Sequence, residues 1–435
     1  MKQHYHFLGV GGIGMSALAR ILIDQGQCVT GSDLAEIPAL EKIGVRKLEE
    51  LPKQGAIVYS SAIQESHPLL LQAKNEARPL FHRSLLLKEL MGKQKALLVT
   101  GTHGKTSTSS LLTWVLSYAK QDPSFAVGGI LQNLQKNGGW GKGEYFVAEA
   151  DESDGSFLNY QGEGGIVTNL EQEHLAYWKT QANLCKGFQT FFQQIKNQKL
   201  FFWCSDDPLL KSLKPPGISY GKQGELKLLK CQQEGGRLIF SASFRGKIYE
   251  AIELPLMGEK LALNGLAVFG LALQLGVSEK EIREAFLSFK GVKRRQEMVG
   301  QVNGILVYDD YAHHPTEIKA VLEGLRKKNP KGRLVALFEP HRFSRTEEQM
   351  EQFSDVFQEA DLAVITSIYS AGESPIPGVT GKALANRVGR EKVLFLEKEK
   401  LMAFLPKMLL PGDLFVTMGA GGITTFGPKL IEALS

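Results

Sequence analysis

The residues with the clearest chemical pattern are Gly101, Thr102, His103, Gly104, Lys105, Thr106 and Ser107. A glycine turn that ends in a lysine and a run of hydroxyls suits a polyphosphate. Glycines let backbone N–H groups approach phosphate oxygens, the lysine reaches the β- and γ-phosphates, and the first hydroxyl sits on Mg2+. The usual pattern has a glycine six residues before the lysine. Val99 stands there, so this is a shortened loop, G-T-x-G-K-T. The bland alternative is a turn with a solvent-facing lysine.

Three more clusters carry chemistry. Gly9-Val10-Gly11-Gly12-Ile13-Gly14 fits G-x-G-x-x-G, and Asp33 lies where a ribose hydroxyl partner is expected. The run Glu149-Ala150-Asp151-Glu152-Ser153-Asp154 concentrates acids that are costly unless a cation or positive partner is near, and ATP-chelated magnesium is the natural candidate. His174, with Glu171 and Glu173, either completes that metal site or caps a helix or fills a core. In the last third, Asp309-Asp310-Tyr311-Ala312-His313-His314-Pro315 and Glu339-Pro340-His341-Arg342-Phe343-Ser344-Arg345 mix arginines, histidines and acids. Arginine forks bind carboxylate and acids bind ammonium, so these suit a small zwitterion.

The elements that must position these residues follow from periodicity. Leu97–Thr100 reads as a buried strand, and Leu111, Leu112, Val115 and Leu116 carry a helical period after the glycine turn. The first turn lies between a strand at 4–10 and a helix from Met15 to about Gln25, with a second strand at 28–33, the layout of a dinucleotide-type βαβ unit. A strand at 57–63 ends in hydroxyls, Ser60 and Ser61, at the ligand edge of such a sheet, or in an ordinary turn. Arg83 either holds a phosphate or faces water. Strands at 145–148 and 166–170 lead into the acidic run and into Glu171. Residues 217–254 alternate as antiparallel strands, and helices follow at 261–275 and 278–289. Four strands near 305–308, 334–338, 363–366 and 414–417 each end in a polar loop, the ligand edge of a doubly wound sheet.

The chain is therefore α/β, with three domains. A Rossmann-like N-terminal domain spans 1–93, a P-loop central domain with antiparallel decoration spans 94–298, and a Rossmann-like C-terminal domain spans 299–435. Net charge is +5 over 435 residues, with no dense basic cluster, so nucleic acid is not an expected partner. Cys28, Cys185, Cys204 and Cys231 are scattered and read as reduced thiols. No apolar run spans a membrane and no signal peptide precedes the first strand, so a cytoplasmic protein is expected.

The segments GVGGIGMS at 9–16, GTHGKTSTSS at 101–110, EADESDGSF at 149–157, DDYAHHPTEI at 309–318, EPHRFSRT at 339–346 and AGESPIPG at 371–378 occur in this order. Together they resemble the Mur ligases, the ATP-dependent amino-acid ligases of peptidoglycan precursor synthesis, along all three domains. The resemblance implies ATP and Mg2+, with UDP-N-acetylmuramate and L-alanine as the joined substrates, in a monomer or weak homodimer. Residue by residue it implies that Lys105 and Thr106 hold phosphates and one Mg2+, with Glu149 as a further ligand and His174 on a second metal. Asn264 and Asp310 contact the nucleotide, and Arg295 or its neighbour contacts phosphate. Gly11, Gly12, Ile13, Gly14 and Asp33 carry the UDP moiety with Ser60, Ser61 and Arg83 nearby. Tyr311, His313, Arg342 and Arg345 form the amino-acid site.

The chain departs from the family pattern at Glu173, Ala176, Lys260, Leu261, Gln296 and Gly422. Other readings remain open: a related ligase for another amino acid or a peptide, a decayed nucleotide-binding homologue, or a NAD-dependent dehydrogenase. The dehydrogenase reading leaves Gly101–Thr106 unexplained.

Overall fold

The computed structural model describes residues 2–389 and 391–435. The chain divides into two compact units. One comprises residues 1–230, 241–252 and 263–290, and the other 231–240, 253–262 and 291–435. Three sheets carry the described residues: five-, ten- and six-stranded.

The first sheet is parallel throughout, in the order Arg46–Lys47, Cys28–Ser32, His4–Leu8, Ala56–Tyr59, Leu80–His82. The chain starts at the centre and winds outwards in both directions, which puts a topological switch point beyond the C-terminal end of His4–Leu8. The helix Ile13–Asp24 opens there, packing Met15, Leu18, Ile21 and Leu22 inward at helical spacing. The strands expected to run through Asp33 and Ile63 stop at Ser32 and Tyr59. The Ser32 carbonyl takes the N–H groups of Gly9 and Val10, and the Ser60 carbonyl takes that of Ile63, so both segments turn.

In the second sheet, Lys95–Thr100 lies between Gly164–Val167 and Tyr145–Glu149, all parallel. Leu97, Leu98 and Val99 are fully buried, as expected for a central strand. The strand expected to reach Leu170 stops at Val167, because the side chains of Thr168 and Asn169 turn onto the carbonyl of His103. A hairpin not expected from the sequence, Ser124–Leu131 and Lys136–Gly139, closes one edge.

The expectation of antiparallel strands throughout 217–254 needs one correction. Ile218–Gly221 is parallel to Phe201–Cys204 on one side and to Leu226–Glu234 on the other. The helix Pro208–Leu213 makes the crossover from Phe201–Cys204, and a crossover returns a strand in the same direction. Leu226–Glu234, Arg237–Phe244 and Lys247–Leu254 are joined by two-residue turns, which only antiparallel neighbours accept.

The third sheet runs Glu297–Val302, Ile305–Asp310, Leu414–Met418, Leu334–Phe338, Leu362–Ile365, Val393–Phe395. All but the first are parallel. Residues of Leu334–Phe338 alternate between two cores: Leu334, Ala336 and Phe338 on one face, Val335 and Leu337 on the other. The antiparallel edge strand Glu297–Val302 was not anticipated and runs across residue 299. Its signal is Asn303-Gly304, both at positive φ, the two-residue turn that suits a twisted hairpin.

Candidate active site

The glycine turn after Lys95–Thr100 is held by the segment that follows the neighbouring strand. Thr102 N–H donates to the Asn169 carbonyl at 3.1 Å and His103 N–H to Asn169 Oδ1 at 2.8 Å. Thr168 Oγ1 and Asn169 Nδ2 donate to the His103 carbonyl, and Glu171 N–H donates to Thr102 Oγ1. His103 Nε2 lies 3.3 Å from Glu171. Gly104 sits at φ +82, and a Cβ there would come within 2.5 Å of Asn264 Nδ2, so both conformation and space demand glycine. The helix Lys105–Tyr118 starts at this point, with Thr106 buried and Ser107 half-buried in its first turn. Its N-terminus is a natural seat for phosphate.

Thr106 Oγ1 donates to Glu149 Oε2 at 2.9 Å, and Gly128 N–H donates to the same oxygen at 2.9 Å. Lys105 Nζ spends its N–H groups on the Gly101 carbonyl at 2.7 Å, the Thr102 carbonyl at 3.1 Å and Glu152 Oε1 at 3.1 Å. Burial alone would lower the lysine's pKa, but Glu152, Asp151 and Glu149 outweigh it and hold Lys105 above its ordinary value. Burial lifts Glu152 to about 7 against the pull of Lys105. His174 stands at positive φ at the start of Leu175–Trp178, with Nε2 3.6 Å from Glu152 Oε1 and from Glu173 Oε2. So Lys105, Thr106, Glu149, His174 and Asn264, expected from different stretches, converge on one turn.

At the first sheet, Gly11 N–H donates to Asp33 Oδ2 at 2.7 Å, while Asp33 Oδ1 accepts from Ala35 N–H at 2.9 Å. Asp33 thus shapes the glycine turn from the next strand. Gly12 caps the helix that begins at Ile13. Ile13's carbonyl accepts from Asn137 Nδ2 at 2.7 Å, a contact reaching in from the unexpected hairpin. Arg83 passes Gly14, where a Cβ would lie 3.5 Å from its Nη1, and pairs at 3.4 Å with Asp151 and with Asp154. Of its two readings, a phosphate contact or open water, the side chain does not take open water: it binds carboxylates. Ser61 Oγ donates to Asp154 Oδ2 at 2.7 Å, and Ser60 is half-buried in the same turn.

In the second unit, Asp310 accepts from Gln296 N–H and Ala312 N–H, each at 2.7 Å. Burial pushes its carboxyl up to about 6, against Arg295. The guanidinium of Arg295 lies 4.9 Å from the centre of the Tyr311 ring and that of Arg294 5.0 Å. Tyr311 meets His313 edge-on, His313 faces His341 at 6.2 Å, and His341 stacks on Tyr369 at 5.5 Å. Arg345 Nη1 is 3.1 Å from His341 Nδ1. Burial lowers His313 to about 3, and burial with Arg345 and Arg342 lowers His341 to about 4, so both are neutral at physiological pH. Arg342, exposed at positive φ, turns to Glu373, which also accepts from Ser344. Tyr311, His313 and Arg345 therefore form one aromatic and cationic cluster, with Arg342 in an ion pair beside it. Glu339, buried, is held by Lys398 and by Ile423 N–H.

Thr168, Asn169, Asn137 and Gly128 belong to none of the sequence motifs above, and Glu152 and His341 stand within motifs that assign them no separate role. Thr168 and Asn169 were in view as the end of a strand; their side chains act only because that strand lies beside the loop. Of the departures, Gln296 bonds both backbone groups of Met257.

Three family profiles match the chain: "Mur ligase family, catalytic domain" over residues 4–95, "Mur ligase middle domain" over 99–272 and "Mur ligase, glutamate ligase domain" over 294–421. A UDP-N-acetylmuramate–L-alanine ligase of Protochlamydia amoebophila (strain UWE25) is 42% identical, covering 100% of this chain and 99% of that protein. One from Anaeromyxobacter dehalogenans (strain 2CP-1) is 38% identical over 99% and 97%. The crystal structure of a UDP-N-acetylmuramate-alanine ligase from Thermotoga maritima superposes with a TM-score of 0.86 at 26% identity, covering 99% of this chain and 98% of that one. By this full-length similarity the chain belongs to the Mur ligase family.

Proposed function

We propose that this protein joins L-alanine to the lactyl carboxylate of UDP-N-acetylmuramate at the expense of ATP. The carboxylate takes the γ-phosphoryl group to give an acyl phosphate and ADP, and the alanine amine then displaces phosphate to form the amide. The supporting observation is the approach of Thr106 to Glu149 at 2.9 Å beside Lys105, at the start of a helix, in a chain similar end to end to ligases of that name.

Residues 1–93 hold the nucleotide sugar through Gly11, Gly12, Ile13, Gly14, Asp33, Ser60, Ser61 and Arg83. Residues 94–298 hold ATP on Gly101–Ser107, with Asn264 and Arg295, and residues 299–435 hold alanine on Tyr311, His313, Arg342 and Arg345, with Asp310 on the nucleotide. The oxygens of Thr106 and Glu149 are hard donors that fit Mg2+, and Gly128 keeps their neighbourhood clear: a Cβ there would lie 2.6 Å from Glu149 Oε2 and 2.8 Å from Thr106 Oγ1. His174 offers a nitrogen to a second ion. Bound there, Mg2+ supplies charge neutralisation to the phosphates. Lys105 orients the transferred group, and the chain's task is positioning and electrostatics without a covalent enzyme intermediate. Arg345 fixes the alanine carboxylate, and the neutral His313 leaves the amine its lone pair. The protein works in the cytoplasm as a monomer or weak homodimer; among the described residues no helix is long and apolar enough to cross a membrane.

Phosphate release with ATP, Mg2+ and UDP-N-acetylmuramate, with and without L-alanine, tests the reading. Release that needs every substrate, with the alanyl product identified by mass, is expected. Greater turnover with glycine, L-serine or a tripeptide would reassign the acceptor, and ATP binding without release would mark a decayed enzyme.

A further inference from the structure

Ser61 and Arg83 already hold an anion, and it belongs to the chain. Ser61 Oγ donates to Asp154 Oδ2 at 2.7 Å, and Arg83 Nη2 lies 3.4 Å from that oxygen and 3.4 Å from Asp151 Oδ2. Asp154 Oδ1 is occupied separately, accepting Ser156 N–H at 3.0 Å, so the turn is held by one oxygen while the other reaches out to the first sheet. Although burial opposes it, the bonds from Ser156 and Ser61 and the charge of Arg83 keep Asp154 below the ordinary carboxylate range. At neutral pH this is a full negative charge on two groups read above as substrate contacts.

We propose that Asp154 is an internal stand-in for the anionic group of the nucleotide-sugar substrate, and thereby a specificity-determining residue of that site. An incoming anion must displace the Asp154 carboxylate from Ser61 and Arg83. A weakly charged ligand gains too little from Arg83 to do so, whereas a group with more charge and more acceptor oxygens does. The displaced turn also carries Glu152, the partner of Lys105, two residues upstream. The inference rests on the reading of Ser61 and Arg83 as substrate residues, and its sign separates it from a supporting role: loss of a support weakens binding, whereas loss of a competitor tightens it.

The test is calorimetric titration of UDP and of UDP-N-acetylmuramate, without ATP, into the full-length wild type and Asp154→Asn. Asparagine retains the Oδ1 acceptor for Ser156 and removes the charge. The variant is expected to bind UDP-N-acetylmuramate about three- to tenfold more tightly, the factor by which one partly exposed charged hydrogen bond competes. A gain shared by UDP assigns the displacing group as the diphosphate; a gain confined to UDP-N-acetylmuramate assigns it as the sugar's carboxylate. Unchanged or weaker binding by the variant, with normal binding by the wild type, overturns the inference and leaves the substrate reading standing. A wild type that binds neither ligand overturns the substrate reading itself. Should Asp154→Asn not fold, Asp154→Ser keeps a short side-chain oxygen for the Ser156 N–H and likewise removes the charge, and the same tightening is expected.

Discussion

Lys105 and Glu152 form a buried ion pair, with Nζ 2.9 Å from Oε2 and only 12% and 1% of the two side chains exposed. The pair explains how an ammonium persists in a dry turn: the Gly101 and Thr102 carbonyls accept two of its hydrogen bonds and the carboxylate balances the charge.

The two members of this pair should be energetically coupled, as the variants Lys105→Met, Glu152→Gln and their combination would show. Glu152→Gln leaves a buried ammonium without its counter-charge and is expected to destabilise by about 3 kcal/mol. The double variant Lys105→Met/Glu152→Gln should cost less than the sum of the single changes. Urea unfolding of the three variants measures the coupling, and additive costs would mean that the contact carries no energy. Lys105→Ala is expected to abolish turnover, since the transferred phosphate loses its fixed cation; normal turnover would dismiss Lys105 from the phosphate site.

Gly128→Ala places a methyl group 2.6 Å from Glu149 Oε2 and 2.8 Å from Thr106 Oγ1. The two oxygens must part. The Mg2+ concentration for half-maximal activity should rise about tenfold or more, as expected when a supporting contact behind a metal ligand is disturbed. An unchanged Mg2+ titration would separate these oxygens from the metal.

Arg345 stands 3.1 Å from His341 in the cluster with Tyr311 and His313. Arg345→Ala should raise the KM for L-alanine about a hundredfold, from the loss of a charge-assisted contact, with little change in the KM for ATP. Initial rates at varied alanine settle the point; an unaltered KM would place the alanine carboxylate elsewhere.

His6 is fully buried in the first sheet, with Nδ1 2.9 Å from Thr30 Oγ1. Burial, then His4 and Arg78, push it from 6.5 down to about 4. Between those values the unfolded chain binds more protons than the folded one. The contribution of His6 is complete above pH 6.5 and is lost as pH falls to about 4, which amounts to about 3 kcal/mol. His6→Gln should flatten the acid side of the stability curve, by about 2 kcal/mol between pH 7 and pH 5, read from urea unfolding at those two pH values.

What could be read in the sequence was local. The G-T-x-G-K-T turn, the first βαβ unit and the polar ends of four parallel strands all depend on neighbours a few residues away, and hydrophobic period and glycine spacing report such neighbours. The paired glycine positions, Gly101 and Gly104, were visible for the same reason. The hairpin turn Asn303-Gly304 was equally local and simply unread.

The partners were decided by tertiary structure. Asn264 reaches Gly104, Asn169 clamps Thr102 and His103, Asn137 caps the Ile13 carbonyl, and Arg83 divides itself between Asp151 and Asp154. Each of these contacts joins residues from stretches far apart in the chain. A run of acids in the sequence shows that a positive charge is needed nearby; only strand order and side-chain direction select Lys105 for Glu152 and Arg83 for Asp154. Sequence alone determined which residue types were present to do chemistry. The order of parallel strands decided which of them meet, because crossover connections bring distant C-terminal ends side by side and leave the identity of the neighbour outside any local pattern.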